Sequence, residues 1–236
     1  MPNLVLNTLP EGDLATLRPH LEEVPLQQGG VLQEPDQPIR FVHFVLDGLV
    51  SLLTVMNDRS VVESGIAGCE GVVGVEALLG AQESPTRNIV QVPGTALRIP
   101  SDTLQQALPK LPLLERCIHR YTLMNLAVAY QLAACNRLHT LDQRCAFWLL
   151  QVRDLTASDR YRFTHRFLAY MLGVRRASVT GVLGGFVSGG LVHHQRGRLT
   201  IVNQMGLEER ACECRPKVHG QLERYVQTLR SLGDGG

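Results

Sequence analysis

Apolar residues in the last third of the chain follow a helical period that a single glycine interrupts. On each side of Gly173 they recur every three or four residues, which is typical of a helix with one buried face. A glycine at this point suits a tight turn with positive φ, and Thr164 can cap the first helix. The pattern predicts a helix-turn-helix. Its inward-facing residues are Phe167, Leu168, Met171, Leu172, Val179, Val182, Leu183 and Phe186.

Short β-rich runs separated by turn residues fill the first hundred residues, after one or two short helices that begin near Pro10. We predict one hairpin around Asp47-Gly48, joining residues 41–46 to 49–56. A second hairpin is expected around Pro93-Gly94, joining residues 89–92 to 95–99. With a further strand at residues 61–66, the pattern indicates an antiparallel sandwich or roll.

A long helical pattern starts at Pro112 and continues to about Cys135 without Gly or Pro. Because an apolar stripe of this length is not stable alone in water, we expect it to pack against a second copy of the chain. The alternative is packing on its own sheet only. The stripe consists of Leu113, Cys117, Tyr121, Met124, Val128 and Leu132.

After this helix, the pattern predicts a helix from Thr140, a polar loop over residues 156–162, and one or two short helices behind the helix-turn-helix. The last three residues, 234–236, are expected to fray.

Charge is distributed unevenly along this chain, whose net charge is only +1. Residues 160–207 contain seven Arg and neither Asp nor Glu, whereas residues 1–159 carry 11 basic against 17 acidic side chains. A basic segment that coincides with a helix-turn-helix indicates a phosphate-binding surface, although a solvated arginine face is the simpler alternative. The arginines are Arg160, Arg162, Arg166, Arg175, Arg176, Arg196 and Arg198.

Double-stranded DNA is the partner that this combination favours. In a helix-turn-helix the second helix enters the major groove with its first residues leading, and Arg is well shaped for bidentate contact with guanine. We therefore expect Arg176 to contact a base and Arg198 to contact phosphate. The candidate DNA-binding residues are Thr164, Arg166, Arg175, Arg176, Ser178, Thr180, Arg196 and Arg198.

The helix-turn-helix together with residues 193–201, which read HHQRGRLTI, resembles the winged DNA-binding end of the CRP/FNR family of bacterial transcription regulators. The resemblance implies an α+β fold: an N-terminal antiparallel β-roll sensor (1–110), a dimerisation helix (111–137) and a C-terminal winged helix-turn-helix domain (138–236). It also implies a cytoplasmic homodimer that binds specific DNA sequences, is controlled through its β-roll, and works with RNA polymerase.

Members of this family that bind a cyclic nucleotide carry Gly-Glu and, about ten residues later, Arg-Ser/Thr-Ala. Here Gly74 and Glu76 are not adjacent, and Arg87 is followed by Asn88. Because a displaced guanidinium loses its bidentate geometry, a cyclic nucleotide is an alternative that the sequence does not favour, and no cofactor is assigned. An internal structural pairing of Glu76 and Arg87 is the competing interpretation. The candidate effector-binding residues are Gly74, Glu76, Thr86, Arg87 and Tyr130.

The six cysteines lack the spacing of a disulfide framework, which suggests reduced thiols in a cytoplasm. No apolar run is long enough to span a membrane, and the first residues do not form a secretory signal. Cys212-x-Cys214 has no partner pair at zinc-finger spacing, so we predict helix packing and no metal site. No catalytic motif points to an enzyme. Two alternatives stay open: a regulatory module that binds a ligand or protein but not DNA, and a redox sensor using Cys69, Cys117 or Cys135.

Overall fold

The computed structural model describes residues 3–233. It confirms the predicted α+β class, with an N-terminal antiparallel sheet and a C-terminal helix-turn-helix. Through the long helix, the elements are α1 (Leu4–Asn7), α2 (Glu11–Leu17), β1 (Glu22–Leu26), β2 (Val31–Gln33), β3 (Phe41–Val55), β4 (Val61–Ala67), β5 (Val72–Val73), α3 (Val75–Leu78), β6 (Arg87–Pro100), α4 (Ser101–Ala107) and α5 (Pro112–Leu138). The main sheet has the strand order β1-β6-β3-β4, while β2 also pairs with β6 and β5 with β3.

The two predicted hairpins at Asp47-Gly48 and Pro93-Gly94 are wrong. Strands β3 and β6 each run straight through these positions and pair with one another from Phe41↔Pro100 to Leu53↔Arg87. The register shifts around Asp47, so the long double strand bends there. A Cβ on Gly94 would lie 2.1 Å from the Asp47 carbonyl oxygen, and one on Gly48 would lie 2.5 Å from that of Val92. The glycines therefore permit two backbones to approach closely instead of turning the chain.

Helix α5 begins at Pro112 as predicted, but the face assigned to dimerisation is wrong in its central part. Cys117, Tyr121, Met124 and Val128 are buried within the chain itself. The apolar side chains that α5 exposes lie on another stripe, with the spacing of a helix face. In the middle of the helix they are Leu123, Leu126 and Tyr130, which are 56%, 45% and 67% exposed, and Leu138 is exposed at its last residue.

The elements behind α5 are α6 (Leu141–Thr156), β7 (Arg160–Arg162), α7 (His165–Leu172), α8 (Arg176–Ser188), β8 (Val192–Gln195), β9 (Arg198–Ile201), α9 (Gln204–Arg210) and α10 (Cys214–Gly233). A capping box between Thr140 and Gln143 fixes the predicted start of α6. Where a polar loop was predicted, β7 pairs with β9 in a three-stranded sheet of order β7-β9-β8.

The chain divides into two compact units that are discontinuous in sequence. The first contains residues 1–53, 65–128 and 220–236, and the second contains residues 54–64 and 129–219. The part of α10 from residue 220 onward therefore belongs with the β-roll, where the Tyr225 hydroxyl donates a 3.0 Å hydrogen bond to the Glu70 carbonyl oxygen. The Tyr225 and Tyr121 rings lie 5.9 Å apart in the same core. The domain boundaries proposed from the sequence remain predictions, and the fraying expected at 234–236 concerns residues outside the described range.

None of the described helices has the length and hydropathy needed to cross a membrane.

Candidate nucleic-acid interface

Helix α7 and the turn behind it are fixed by two local features of the sequence. The Thr164 hydroxyl accepts a 3.1 Å hydrogen bond from the Phe167 backbone N–H, so the predicted cap is present. Gly173 ends the helix at φ +63°, and its N–H donates to the Tyr170 carbonyl oxygen. A Cβ at Gly173 would also lie 2.9 Å from Val62 Cγ2. Both the backbone angle and the close neighbour therefore require glycine at this turn.

Helix α8 follows the turn and presents the predicted polar face to solvent. Arg175 is its N-cap residue and Arg176 its first residue. Val179, Leu183 and Phe186 are buried as expected, whereas Val182 is only half-buried. The exposed side of α8 comprises Arg175, Arg176, Ser178, Thr180, Gly181, Gly184 and Gly185.

The predicted wing is present as β8 and β9, which pair from Val192↔Ile201 to Gln195↔Arg198. Its two-residue turn is Arg196-Gly197, with φ values of +50° and +73°. Two successive positive φ angles are those of a type I′ hairpin turn, whose twist matches that of the strands. Arg196 and Arg198 are both exposed at this end of the wing.

All seven arginines of the basic segment are exposed, including Arg160, Arg162 and Arg166. They belong to β7, α7, the start of α8 and the wing, and residues 160–207 contain no carboxylate side chain. Arg166 lies on the Tyr170 ring, with its guanidinium carbon 5.6 Å from the ring centroid and Nε 3.0 Å from the hydroxyl. The winged helix-turn-helix therefore carries a strongly positive surface.

Two histidines that sequence reasoning left out of the site connect its parts. His165 Nδ1 lies 2.8 Å from Thr180 Oγ1, and His165 Nε2 lies 3.2 Å from His194 Nδ1. His194 Nε2 in turn lies 3.2 Å from the Phe163 carbonyl oxygen. With both rings neutral, His165 donates to His194 and His194 donates to the carbonyl, while His165 Nδ1 and the Arg176 carbonyl oxygen, 3.1 Å from Thr180 Oγ1, share the single hydroxyl proton of Thr180. We call this chain the histidine relay; it joins α8, α7 and β8.

Partial burial, followed by the charges of His194 and Arg176, lowers the pKa of His165 below its ordinary value. The lowered pKa agrees with the neutral relay. The distances also show that the Thr180 hydroxyl, a candidate DNA contact, is already bonded inside the winged helix. A paired histidine and threonine fifteen residues apart give no local pattern that would reveal such a contact in the sequence.

That the candidate effector residues form one site remains a prediction, and the structure gives each of them the following neighbours. The Arg87 guanidinium pairs with Glu34, at 2.7 Å, and not with Glu76. Thr86 donates to Asn88, 3.0 Å away. The competing interpretation, an internal pair of Glu76 and Arg87, is therefore wrong.

Gly74 is the N-cap residue of α3, and Glu76 lies in the first turn of the same helix. Gly74 has φ +86°, and a Cβ there would lie 2.7 Å from Gln33 Nε2. Burial raises the pKa of Glu76, whose Oε2 has no hydrogen-bond partner among the described residues. Tyr130 belongs to the second compact unit and is exposed.

Two of the three cysteines considered for redox sensing are poorly suited to it. Burial raises the pKa of the Cys117 thiol to about 11 and also raises that of Cys69. Since the thiolate is the reactive form, both groups are mostly protonated and unreactive near neutral pH.

Two family models match the chain. Residues 23–110 match the cyclic nucleotide-binding domain, and residues 143–210 match the Crp-like helix-turn-helix domain. The chain belongs to the CRP/FNR family. This CRP/FNR-family protein has no significant match among curated proteins.

Solved structures of CRP/FNR-family regulators share its fold. A transcriptional regulator from Eubacterium rectale is 15% identical, with a TM-score of 0.71 and coverage of 90% of this chain and 97% of that one. FixK2 from Bradyrhizobium japonicum is 16% identical, with a TM-score of 0.68 and coverage of 81% and 98%. The c-di-GMP responsive regulator CLP from Xanthomonas campestris is 17% identical, with a TM-score of 0.69 and coverage of 81% and 99%.

Proposed function

We propose that this CRP/FNR-family protein is a homodimeric transcription regulator that binds specific sequences of double-stranded DNA in the cytoplasm and acts through RNA polymerase. The observation that carries the proposal is the arginine surface of the winged helix. Its seven exposed arginines occupy a segment without Asp or Glu, as a surface for a polyanion requires.

Helix α8 is the element that enters the major groove in this proposal. Arg175 and Arg176 stand at its exposed start, where a guanidinium can reach guanine O6 and N7. Beyond Thr180 the exposed face consists largely of glycines, so base contacts are confined to the first turns of the helix. Arg196 and Arg198, at the tip of the wing, serve the sugar-phosphate backbone.

Dimerisation would set the spacing of two recognition helices at about one turn of DNA. The exposed stripe of Leu123, Leu126 and Tyr130 on α5 supports a dimer, because contiguous exposed apolar side chains are typical of interfaces.

The β-roll receives the controlling signal in this proposal, but that signal is not cyclic AMP. A cyclic phosphate needs a guanidinium free for bidentate contact, whereas Arg87 is already paired with Glu34. Isothermal titration calorimetry with cyclic AMP should give no heat of binding at micromolar ligand. A micromolar dissociation constant would overturn this part of the proposal and leave DNA binding untouched.

DNA binding itself is tested by selecting duplexes from a randomised pool and measuring their affinity by fluorescence anisotropy over a salt series. We expect an enriched sequence with two half-sites, and an affinity that falls by a log–log slope of about 0.9 for each phosphate contacted. The comparison variant is Arg176→Glu, which places a carboxylate in the major groove and should therefore weaken the binding of the enriched sequence. No enrichment and no salt dependence would instead favour a regulatory module that does not bind DNA.

A further inference from the structure

Four potential metal ligands meet where the end of α5 approaches the junction of α9 and α10. They are Cys135, His139, Cys212 and Cys214, and their ligand atoms all lie within 4.8 Å of one another. All four belong to the second compact unit. The three cysteines are buried and His139 is half-buried. We call these residues the Cys3His cluster.

The backbone sets the positions of both halves of the cluster. The His139 N–H donates a 3.1 Å hydrogen bond to the Cys135 carbonyl oxygen, so these side chains lie one helical turn apart on the same face. Cys214 is the first residue of α10 and Cys212 lies two residues before it, where the Arg215 N–H donates to the Cys212 carbonyl oxygen at 3.2 Å. Each half therefore presents two ligands toward the other.

The distances between ligand atoms suit a tetrahedral ion. Zn²⁺ binds sulfur at about 2.3 Å and imidazole nitrogen at about 2.0–2.1 Å, so a tetrahedron places S–S pairs about 3.8 Å and S–N pairs about 3.5 Å apart. In the protein, Cys135 Sγ lies 3.6 Å from Cys212 Sγ. Cys214 Sγ lies 3.5 Å from His139 Nδ1. No large rearrangement is needed for an ion to be held.

Polar neighbours orient the ligands in the way that metal sites require. His139 Nε2 lies 3.0 Å from Glu213 Oε2, which leaves Nδ1 to face the sulfur atoms. A carboxylate on the second nitrogen fixes the ring and makes the ligating nitrogen more basic. Gln131 Nε2 donates to Cys214 Sγ at 3.1 Å, and such a donor stabilises a thiolate.

We propose that the Cys3His cluster binds one Zn²⁺ as a structural site with four protein ligands. Binding replaces three S–H protons, which pass to solvent, with three sulfur–zinc bonds, while neutral His139 contributes its Nδ1 lone pair. Three thiolates and an imidazole select a borderline-soft ion such as Zn²⁺ over Mg²⁺ or Ca²⁺. The ion joins the end of α5 to the start of α10.

This site is independent of the proposed DNA binding and of the family resemblance. The matched models cover residues 23–110 and 143–210, and all four ligands lie outside both segments. The prediction from sequence that Cys212-x-Cys214 has only a packing role missed the other half, because Cys135 is 77 residues away.

The test is the metal content of the full, tag-free chain purified under reducing conditions without chelator. Mass spectrometry of the native protein and elemental analysis should both give about one zinc per chain. After removal of zinc, Co²⁺ should restore a sulfur-to-metal charge-transfer band and the intense visible absorption of tetrahedral cobalt. Less than about a tenth of a zinc per chain, with no such band, would overturn the proposal.

Variants locate the ion. His139→Ala and Cys214→Ser should each lower zinc affinity at least tenfold, whereas Cys69→Ser, in the other unit, should keep one zinc per chain. Because a ligand variant can misfold, Glu213→Gln provides a milder change outside the ligand set, and it should weaken Co²⁺ binding while the circular dichroism spectrum is unchanged. Zinc retained in both ligand variants would show the assignment to be wrong, and so would a Cys135–Cys212 disulfide without zinc in the chain isolated in the absence of reductant.

Discussion

Trp148 donates its indole N–H to Glu63, with Nε1 and Oε1 2.7 Å apart. Both side chains are buried, one on α6 and the other on β4, and both belong to the second compact unit. Trp148 also lies against the Phe163 ring, with centroids 5.2 Å apart, directly behind the start of α7. Because the chain contains one tryptophan, its fluorescence reports on this contact and on the unit around it.

Replacing Glu63 by Leu should destabilise the second unit. The change leaves a buried indole N–H without its acceptor, which costs about 1–3 kcal/mol. Urea unfolding followed by the fluorescence of Trp148 measures the loss. Glu63→Gln is the matched control, because its amide oxygen can still accept the hydrogen bond and the loss should be clearly smaller. Equal losses in the two variants would mean that the carboxylate acts through some other contact.

Replacing Leu126 by Lys should produce a monomer. The new ammonium group would be buried in the dimer interface formed by the exposed stripe on α5. A desolvated, unpaired charge of this kind opposes association. Sedimentation velocity at micromolar concentration should show one chain mass for the variant and two for the parent. Leu79→Lys, at a position of similar exposure (47%) behind α3, should remain a dimer. If Leu126→Lys sediments as a dimer, the copies meet on another surface.

Arg176 and Arg198 should have different roles on DNA. We expect Arg176→Ala to cost about 1–3 kcal/mol and to relax the preference at one base pair in each half-site, since a bidentate contact is lost. Arg198→Ala should weaken all sequences alike and reduce the salt slope by about one unit per contact.

Binding of both arginine variants to a half-site library, repeated over a salt series, separates the two roles. Arg18→Ala serves as a control, because this exposed arginine pairs with Glu11 far along the chain from the winged helix. If Arg176→Ala lowers every sequence equally while Arg198→Ala changes the preferred base, the assigned roles are reversed.

Lowering the pH should lower the stability of the winged helix, because His165 becomes protonated. The folded state lowers the pKa of this ring, so near pH 6 the folded chain binds fewer protons than the unfolded chain. The stability that the neutral relay contributes is complete above the unfolded pKa of about 6.5 and is lost as the pH falls below it. The urea midpoint of unfolding, measured by Trp148 fluorescence, should therefore be lower at pH 5.5 than at pH 7.5.

His165→Asn removes the titrating ring but keeps an acceptor near the position of Nδ1, so its midpoint should depend less on pH than that of the parent. His193→Asn is the matched control, because His193 is exposed on the wing and takes no part in the relay. The same pH dependence in all three proteins would assign the effect to other groups.

The features predicted well from sequence are those that local chemistry determines. The Thr164 side chain caps α7 by accepting a hydrogen bond from the backbone N–H of Phe167, three residues further on. Gly173 supplies a positive φ angle that few other residues adopt. The wing follows from a short hairpin with Arg196-Gly197 at its turn. In each case the residues that define the structure lie within a few positions of one another.

The errors occurred where distant segments decide the outcome. Asp47-Gly48 has the composition of a hairpin turn, and only its partner strand at Gly94 shows that the glycine admits a second backbone. The period of α5 is compatible with two apolar stripes, and the sequence does not tell which one the rest of the chain covers. Glu34 is 53 positions from Arg87, so their pair had no local signal.

The return of α10 to the β-roll sets an order for biosynthesis. Every residue of the second unit lies before position 220, whereas the first unit needs residues 220–233 to supply Tyr225. Domains usually become complete from the N-terminus as the ribosome releases them. Here a nascent chain that has emerged to residue 219 holds a whole second unit and an unfinished β-roll. The β-roll, whose synthesis starts first on the ribosome, is therefore the last unit to complete its fold.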